Sequence, residues 1–199
     1  PTRRSSDLDA DPPDQPPSAE NLPPKQGGPI SKLARIITKA ARFKGDVHGL
    51  DNGEHAALAR LDPDAEFRPH QIAALSRALV YADLAPEHWQ ADTWRRWAMI
   101  AHGMALAGHD GGRRLGQQLS AAGVSESRVT KLLTARGDAF RQLVPRLLRL
   151  LASNEGQSPN WFELGDLILN QDRDEQAAEA VRLKIAGSFF SAEAKKQKH

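Results

Sequence analysis

The sequence predicts an all-α protein: two small helical lobes, a helix bundle, following a disordered N-terminal segment. Three observations lead there. From Ser31 onward apolar residues recur at steps of three and four, the period of a helix with one buried side. Gly, Pro and Asp interrupt these stretches where helices start and stop. No alternating strand pattern of useful length and no internal repeat occurs in the 199 residues.

Composition divides the chain. Residues 1–30 are rich in Pro, Asp, Ser, Gln and Gly, with only Leu8, Leu22 and Ile30 as sizeable apolar groups. Such a segment cannot bury enough surface to offset its ordering entropy, so it is expected to be disordered. The opening "PTRRSSDL" is assigned no function. Residues 31–110 form the expected N-terminal lobe and residues 111–199 a basic C-terminal lobe, split at the "AGHDGG" stop.

Ser31 can cap a first helix with Leu33, Ile36, Ile37 and Ala40 on one side. "FKGDVHGLDNG" breaks the chain, and "EHAALARL" makes a short helix that Pro63 ends. Pro69 opens another, with Ile72, Leu75, Leu79 and Val80 as its buried stripe. Asp92 caps the next, in which Trp94, Trp97, Ala98, Ala101 and Met104 share a side. Beyond Gly112 come five more helices. One runs from about Arg114 to Ala122 with Gly123 at its end, and one runs from Ser125 to Arg136. The third extends from Asp138 to about Ala152, the fourth from Trp161 to Leu169. The last opens at Asp172 or Asp174 and ends near Gly187. Pro145, seven residues into the third, should remove a hydrogen bond and kink it; the alternative is a helix that starts at Val144, which loosens the stripe of charges before it.

Several functions are excluded. There is no cysteine, hence no disulfide, thiolate metal site or thiol nucleophile. The seven histidines show no metal-ligand spacing, and no phosphate-binding loop or nucleophile motif occurs. No apolar run reaches membrane-spanning length, and nothing resembles a signal peptide, so a cytoplasmic protein is expected. The tryptophans Trp89, Trp94, Trp97 and Trp161 read as core or interface residues, with base stacking as the lesser use.

Charge distribution is the informative feature. Between Arg113 and Arg149 stand eight cations: Arg113, Arg114, Arg128, Lys131, Arg136, Arg141, Arg146 and Arg149, interrupted only by Glu126 and Asp138. From Asn154 to Ala180 the sign reverses, with seven acids and one Arg. In the Asp138 helix, Phe140, Leu143, Val144, Leu147, Leu148 and Leu151 gather on one side and Arg141, Gln142, Arg146 and Arg149 on the other. Arg113 and Arg114 open a helix behind Gly111-Gly112, where free amides and guanidinium groups together suit a phosphate. Such a block is either a solvated face or a polyanion-binding surface. Seven of its eight members are Arg, which forks better onto phosphate, and i,i+4 acid partners are nearly absent.

The layout resembles the small subunit of the type I-E CRISPR Cascade complex, the CasB family, over roughly Leu50 to Phe190. The residues carrying the likeness are Asp51, Gly53, Ala56, Leu58 and Arg60 in "LDNGEHAALARL", and the Ala101-His102 pair. To these add Leu115, Gly116, Leu119, Ser125, Arg128, Leu132, Leu133 and Ala135 in "RRLGQQLSAAGVSESRVTKLLTA". His55, Ala59 and Ile185 depart from the pattern. The resemblance implies a non-catalytic protein, present as two copies, seated against the guide-RNA backbone subunits and the large subunit. It would bind guide RNA and the displaced strand of target DNA through basic surfaces that read backbone, stabilising the R-loop in antiviral defence. It implies neither cofactor nor metal. Arg128 is carried over by motif; the other seven cations are expected binding residues from charge and periodicity. The alternative is a helical scaffold whose basic face meets an acidic protein surface.

Overall fold

The computed structural model describes residues 28–40, 49–154 and 157–198. The disorder expected of the first segment falls, up to residue 27, outside the described residues, as does most of the "FKGDVHG" break. Among the described residues the chain is helical, with no strand: α1 (Pro29–Ala40), α2 (Asn52–Ala59), α3 (Pro69–Tyr81), a 3-10 turn (Pro86–His88), α4 (Ala91–Ala107), α5 (Leu115–Ala121), α6 (Glu126–Thr134), α7 (Gly137–Ala152), α8 (Trp161–Asn170) and α9 (Glu175–Lys196).

Local chemistry sets the boundaries. Asp51 accepts from the Glu54 amide while Glu54 accepts from the Asp51 amide, a capping box that starts α2. Pro69 occupies the first turn of α3. Asn160 accepts from the Phe162 amide at α8, and Asp174 accepts from the Ala177 amide at α9. Gly123 turns the chain after α5 with φ +69°.

Some expected boundaries shift. α1 begins at Pro29, ahead of Ser31, and α4 at Ala91, leaving Asp92 inside the first turn. α7 begins at Gly137 instead of being capped by Asp138, and α9 continues past Gly187 to Lys196. Pro145 does not end α7. It costs roughly 3 kcal/mol in a helix interior. The burial of Phe140, Val144, Leu148 and Leu151 returns about 1.5–3 kcal/mol each and outweighs it.

α4 is the centre of packing, touching α1, α2, α3, α7 and α8, while α5 and α8 lie along α9. One core cluster runs from Ile30 in α1 to Phe189 in α9. The indole of Trp161 is completely buried against Gly103 of α4, where a Cβ would stand 2.3 Å from its Cη2. Its Nε1 donates to the Gly108 carbonyl at 2.7 Å. Small residues decide α3 as well. Its buried stripe centres on Ala74 and Ala78 beside Leu75 and Leu79, which rotates Ile72 (46 % exposed) and Val80 (53 %) outward, against expectation.

Two glycines make opposite predictions. A Cβ on Gly116 would lie 2.2 Å from the Ile185 carbonyl oxygen and 2.5 Å from the Phe189 amide, both backbone atoms of α9. Gly116→Ala is expected to cost about 2–3 kcal/mol through forced separation of α5 from α9. A Cβ on Gly187 meets nothing within 4 Å, so Gly187→Ala is expected to stabilise by roughly 0.5–1 kcal/mol. Urea unfolding of both variants checks the pair.

Candidate nucleic-acid interface

The eight cations singled out from the sequence separate into two groups. Four are engaged by carboxylates. Arg113 pairs with Asp110 at 3.0 Å, and Arg141 with Asp138 three residues before it. Arg114 Nη1 donates to Glu163 at 3.0 Å. Arg136 meets Glu175 at 3.0 Å and Glu179 at 3.6 Å, and its Nη1 donates to the carbonyls of Leu133 and Ala135, closing the end of α6. The other four, Arg128 and Lys131 on α6 with Arg146 and Arg149 on α7, are exposed and pair with no described carboxylate.

The acidic stretch after Asn154 supplies several of those partners, and this is where the charge reversal goes. Glu163 on α8 is buried, accepts from the Leu115 amide at 2.7 Å and takes Arg114 on its other oxygen. The anion that the start of α5 attracts is therefore a carboxylate of the same chain, and the expected phosphate site behind Gly111-Gly112 is filled. The Arg113 side is closed too. Burial alone would raise the carboxyl of Asp110, but the Gly112 amide, Arg113 and Gln118 outweigh it and hold it low. On α9, Arg182 and then Arg136 hold Glu175 below the usual carboxylate range.

Arg182 and Arg96 escaped sequence reasoning. Arg182 is 3 % exposed and bonds Glu175, Glu179 and Gln171. Its i,i+3 spacing from Glu179 is the one hint the sequence holds. Arg96 bonds Asp92 and the Ile168 and Gln171 carbonyls, capping the end of α8. Nothing in the sequence reveals that contact, because its partners lie more than seventy residues away.

On α7, rotation by 100° per residue places Arg146 and Arg149 together on the solvent side, opposite Val144 and Leu148. Arg141 stands apart. It is half-buried and lines a crevice with Arg95, Arg96, Asp64 and Phe140 between α4, α7 and α8. Arg149 lies close enough to His102 to oppose its protonation. α6 packs on both α7 and α9, and Arg128 and Lys131, three residues apart, lie on its exposed side.

His102 is buried and its Nδ1 donates to the Leu58 carbonyl at 3.1 Å; burial chiefly, and Arg149 after it, push its pKa down. His109 is likewise depressed by burial, and its Nδ1 accepts from the Trp161 amide at 3.3 Å. Neither has a nucleophile beside it among these contacts. Among the described residues no group of three or more His, Asp or Glu could hold a metal ion, and no helix is long and apolar enough to cross a membrane.

These features define a helical protein built to present charge. Residues 54–190 match the family described as CRISPR-associated protein Cse2. The chain belongs to that family, CasB, the small subunit of the type I-E Cascade complex in CRISPR defence, and as such is a component of an assembly with other subunits. No curated protein and no solved structure matches the chain.

Two outcomes are expected. Glu163→Gln should lower stability by about 1–2 kcal/mol, since a charge-assisted pair of bonds at the start of α5 is weakened; denaturant titration measures it. For the histidines, depressed folded pKa values mean that the unfolded chain binds more protons below the ordinary value of 6.5. Stability should therefore fall as pH drops below that value and level off once the folded-state pKa is passed. His102→Gln should flatten this part of a Tm-against-pH profile.

Proposed function

We propose that the chain is a non-catalytic, nucleic-acid-binding subunit that grips sugar–phosphate backbone in the cytoplasm. In this reading Arg128, Lys131, Arg146 and Arg149 contact guide RNA or the displaced strand of target DNA and favour the opened R-loop. The carrying observation is the division of the basic block: four cations are tied to carboxylates of the fold, and four are exposed without such a partner. Unpaired cations bind phosphate without displacing an internal acid, and such contacts are indifferent to base sequence. R-loop formation is nearly balanced, so modest backbone contacts shift it. Arg113, Arg114, Arg136 and Arg141 serve chiefly the fold in this reading. The guide-RNA backbone subunits and large subunit are the proposed neighbours, with two copies of this chain side by side.

A second reading, a scaffold that binds an acidic protein surface, is favoured by one feature. Leu183 (65 % exposed) and Phe190 (43 %) stand seven residues apart on α9 and offer an apolar contact of the kind a protein surface uses.

The test replaces Arg128, Lys131, Arg146 and Arg149 together by Ala and follows single-strand binding by fluorescence anisotropy across salt concentrations. The slope of log K against log salt should become shallower by roughly 0.7 per contact removed, while thermal stability stays near wild type. An unchanged slope refutes the backbone reading and leaves the scaffold.

A further inference from the structure

We propose that a cavity walled by Trp94 and bordered by Arg95 receives one unpaired nucleobase of a bound strand. This rests on the nucleic-acid reading above. The cavity has a volume of about 350 Å³, within the range of small-ligand sites, and opens to solvent between the Ala65–Phe67 segment, α3 and α4. Its walls are Phe67, Ile72 and Trp94, with Glu66 and Arg95 alongside.

The aromatic wall is braced. Trp89 meets Trp94 edge-on at 5.9 Å and stacks on Trp97 at 5.8 Å, and Trp97 is buried in the core. Trp94 is thus held from behind and partly bare in front. The exposure of Ile72, which the packing of α3 itself does not require, places a further apolar group on the opening. Arg95 is exposed and pairs with no described carboxylate, whereas its neighbour Arg96 is consumed by Asp92 and two backbone carbonyls. A ring face, a cation for phosphate and a carboxylate able to accept from an exocyclic amino group together match a nucleotide. A partner's aliphatic side chain would use only the apolar part.

Arg95 borders both the cavity and the neighbouring crevice. The chain from Pro63 to Phe67 runs past two arginines: Pro63 and Asp64 share a crevice with Arg95 and Arg141, and Ala65 to Phe67 wall the cavity beside Arg95. Arg95, on the rim of the cavity, can hold a phosphate while Trp94 takes the attached base.

The experiment compares a short oligodeoxycytidine with an abasic strand of equal length, using the full chain, Trp94→Leu, Trp94→Phe and Ile72→Glu. Wild type should bind the base-bearing strand about tenfold more tightly. Trp94→Leu should abolish that preference while leaving the abasic affinity unchanged, and Trp94→Phe should keep most of it. Ile72→Glu, a substitution at an exposed position, should also abolish it, which covers the case of a Trp94 variant that does not fold. Equal binding of the two strands by wild type, or a preference that survives Trp94→Leu and Ile72→Glu, overturns the base site and leaves backbone binding intact. Binding of neither strand by wild type overturns both readings.

Discussion

The contact of Trp161 with Gly103 is the constraint on which the rest of the structure depends. An aromatic side chain buries some 150–250 Å², worth roughly 4–6 kcal/mol of gross transfer energy. Here that area joins α8 to α4, with Leu148 of α7 near the same glycine. The indole would not fit over any residue larger than glycine. Once it is seated, α7 can rest on α4 in only one rotation, with Val144 and Leu148 inward and Arg146 and Arg149 outward. The direction in which the exposed arginines point is thus a result of core packing, reached without any contact of their own.

Charge in this protein serves two ends through different residues. Glu163 with Arg114, and Arg136 with Glu175 and Glu179, act between helices, while buried Arg182 braces the same two glutamates along α9 and reaches Gln171 at the end of α8. A buried ion pair gains little net energy but is costly to break, so such groups specify which helix end meets which. The cations left over lie on the solvent side of α6 and α7 and take no such part.

Helices and their order were legible because the period of apolar residues is a local property. Leu75, Leu79, Phe140, Val144 and Leu148 were assigned to the core on spacing alone, and they are buried. Ile72 and Val80 were misassigned, because hydrophobicity does not reveal that α3 packs through Ala74 and Ala78. Pro145 reads as a kink because the cost of a missing donor is local, while the burial that carries α7 past it is not. The same limit applies to charge. A run of eight cations is visible in one dimension. That Glu163 reaches back to Leu115, and Glu175 to Arg136, is information held only by the fold. Arg141 shows it in miniature: one position along α7 turns a side chain from the open surface into a crevice.

α5 has only seven residues, too few to persist alone in water. Its start is held by Glu163, its side fits α9 through Gly116, and its end is tied by Lys196 Nζ donating to the Ser120 carbonyl at 2.5 Å. Every one of those supports follows it in the chain. On a translating ribosome, then, α5 must wait unformed until α8 and α9 have emerged. This part of the chain should acquire its shape in one late step, and not helix by helix.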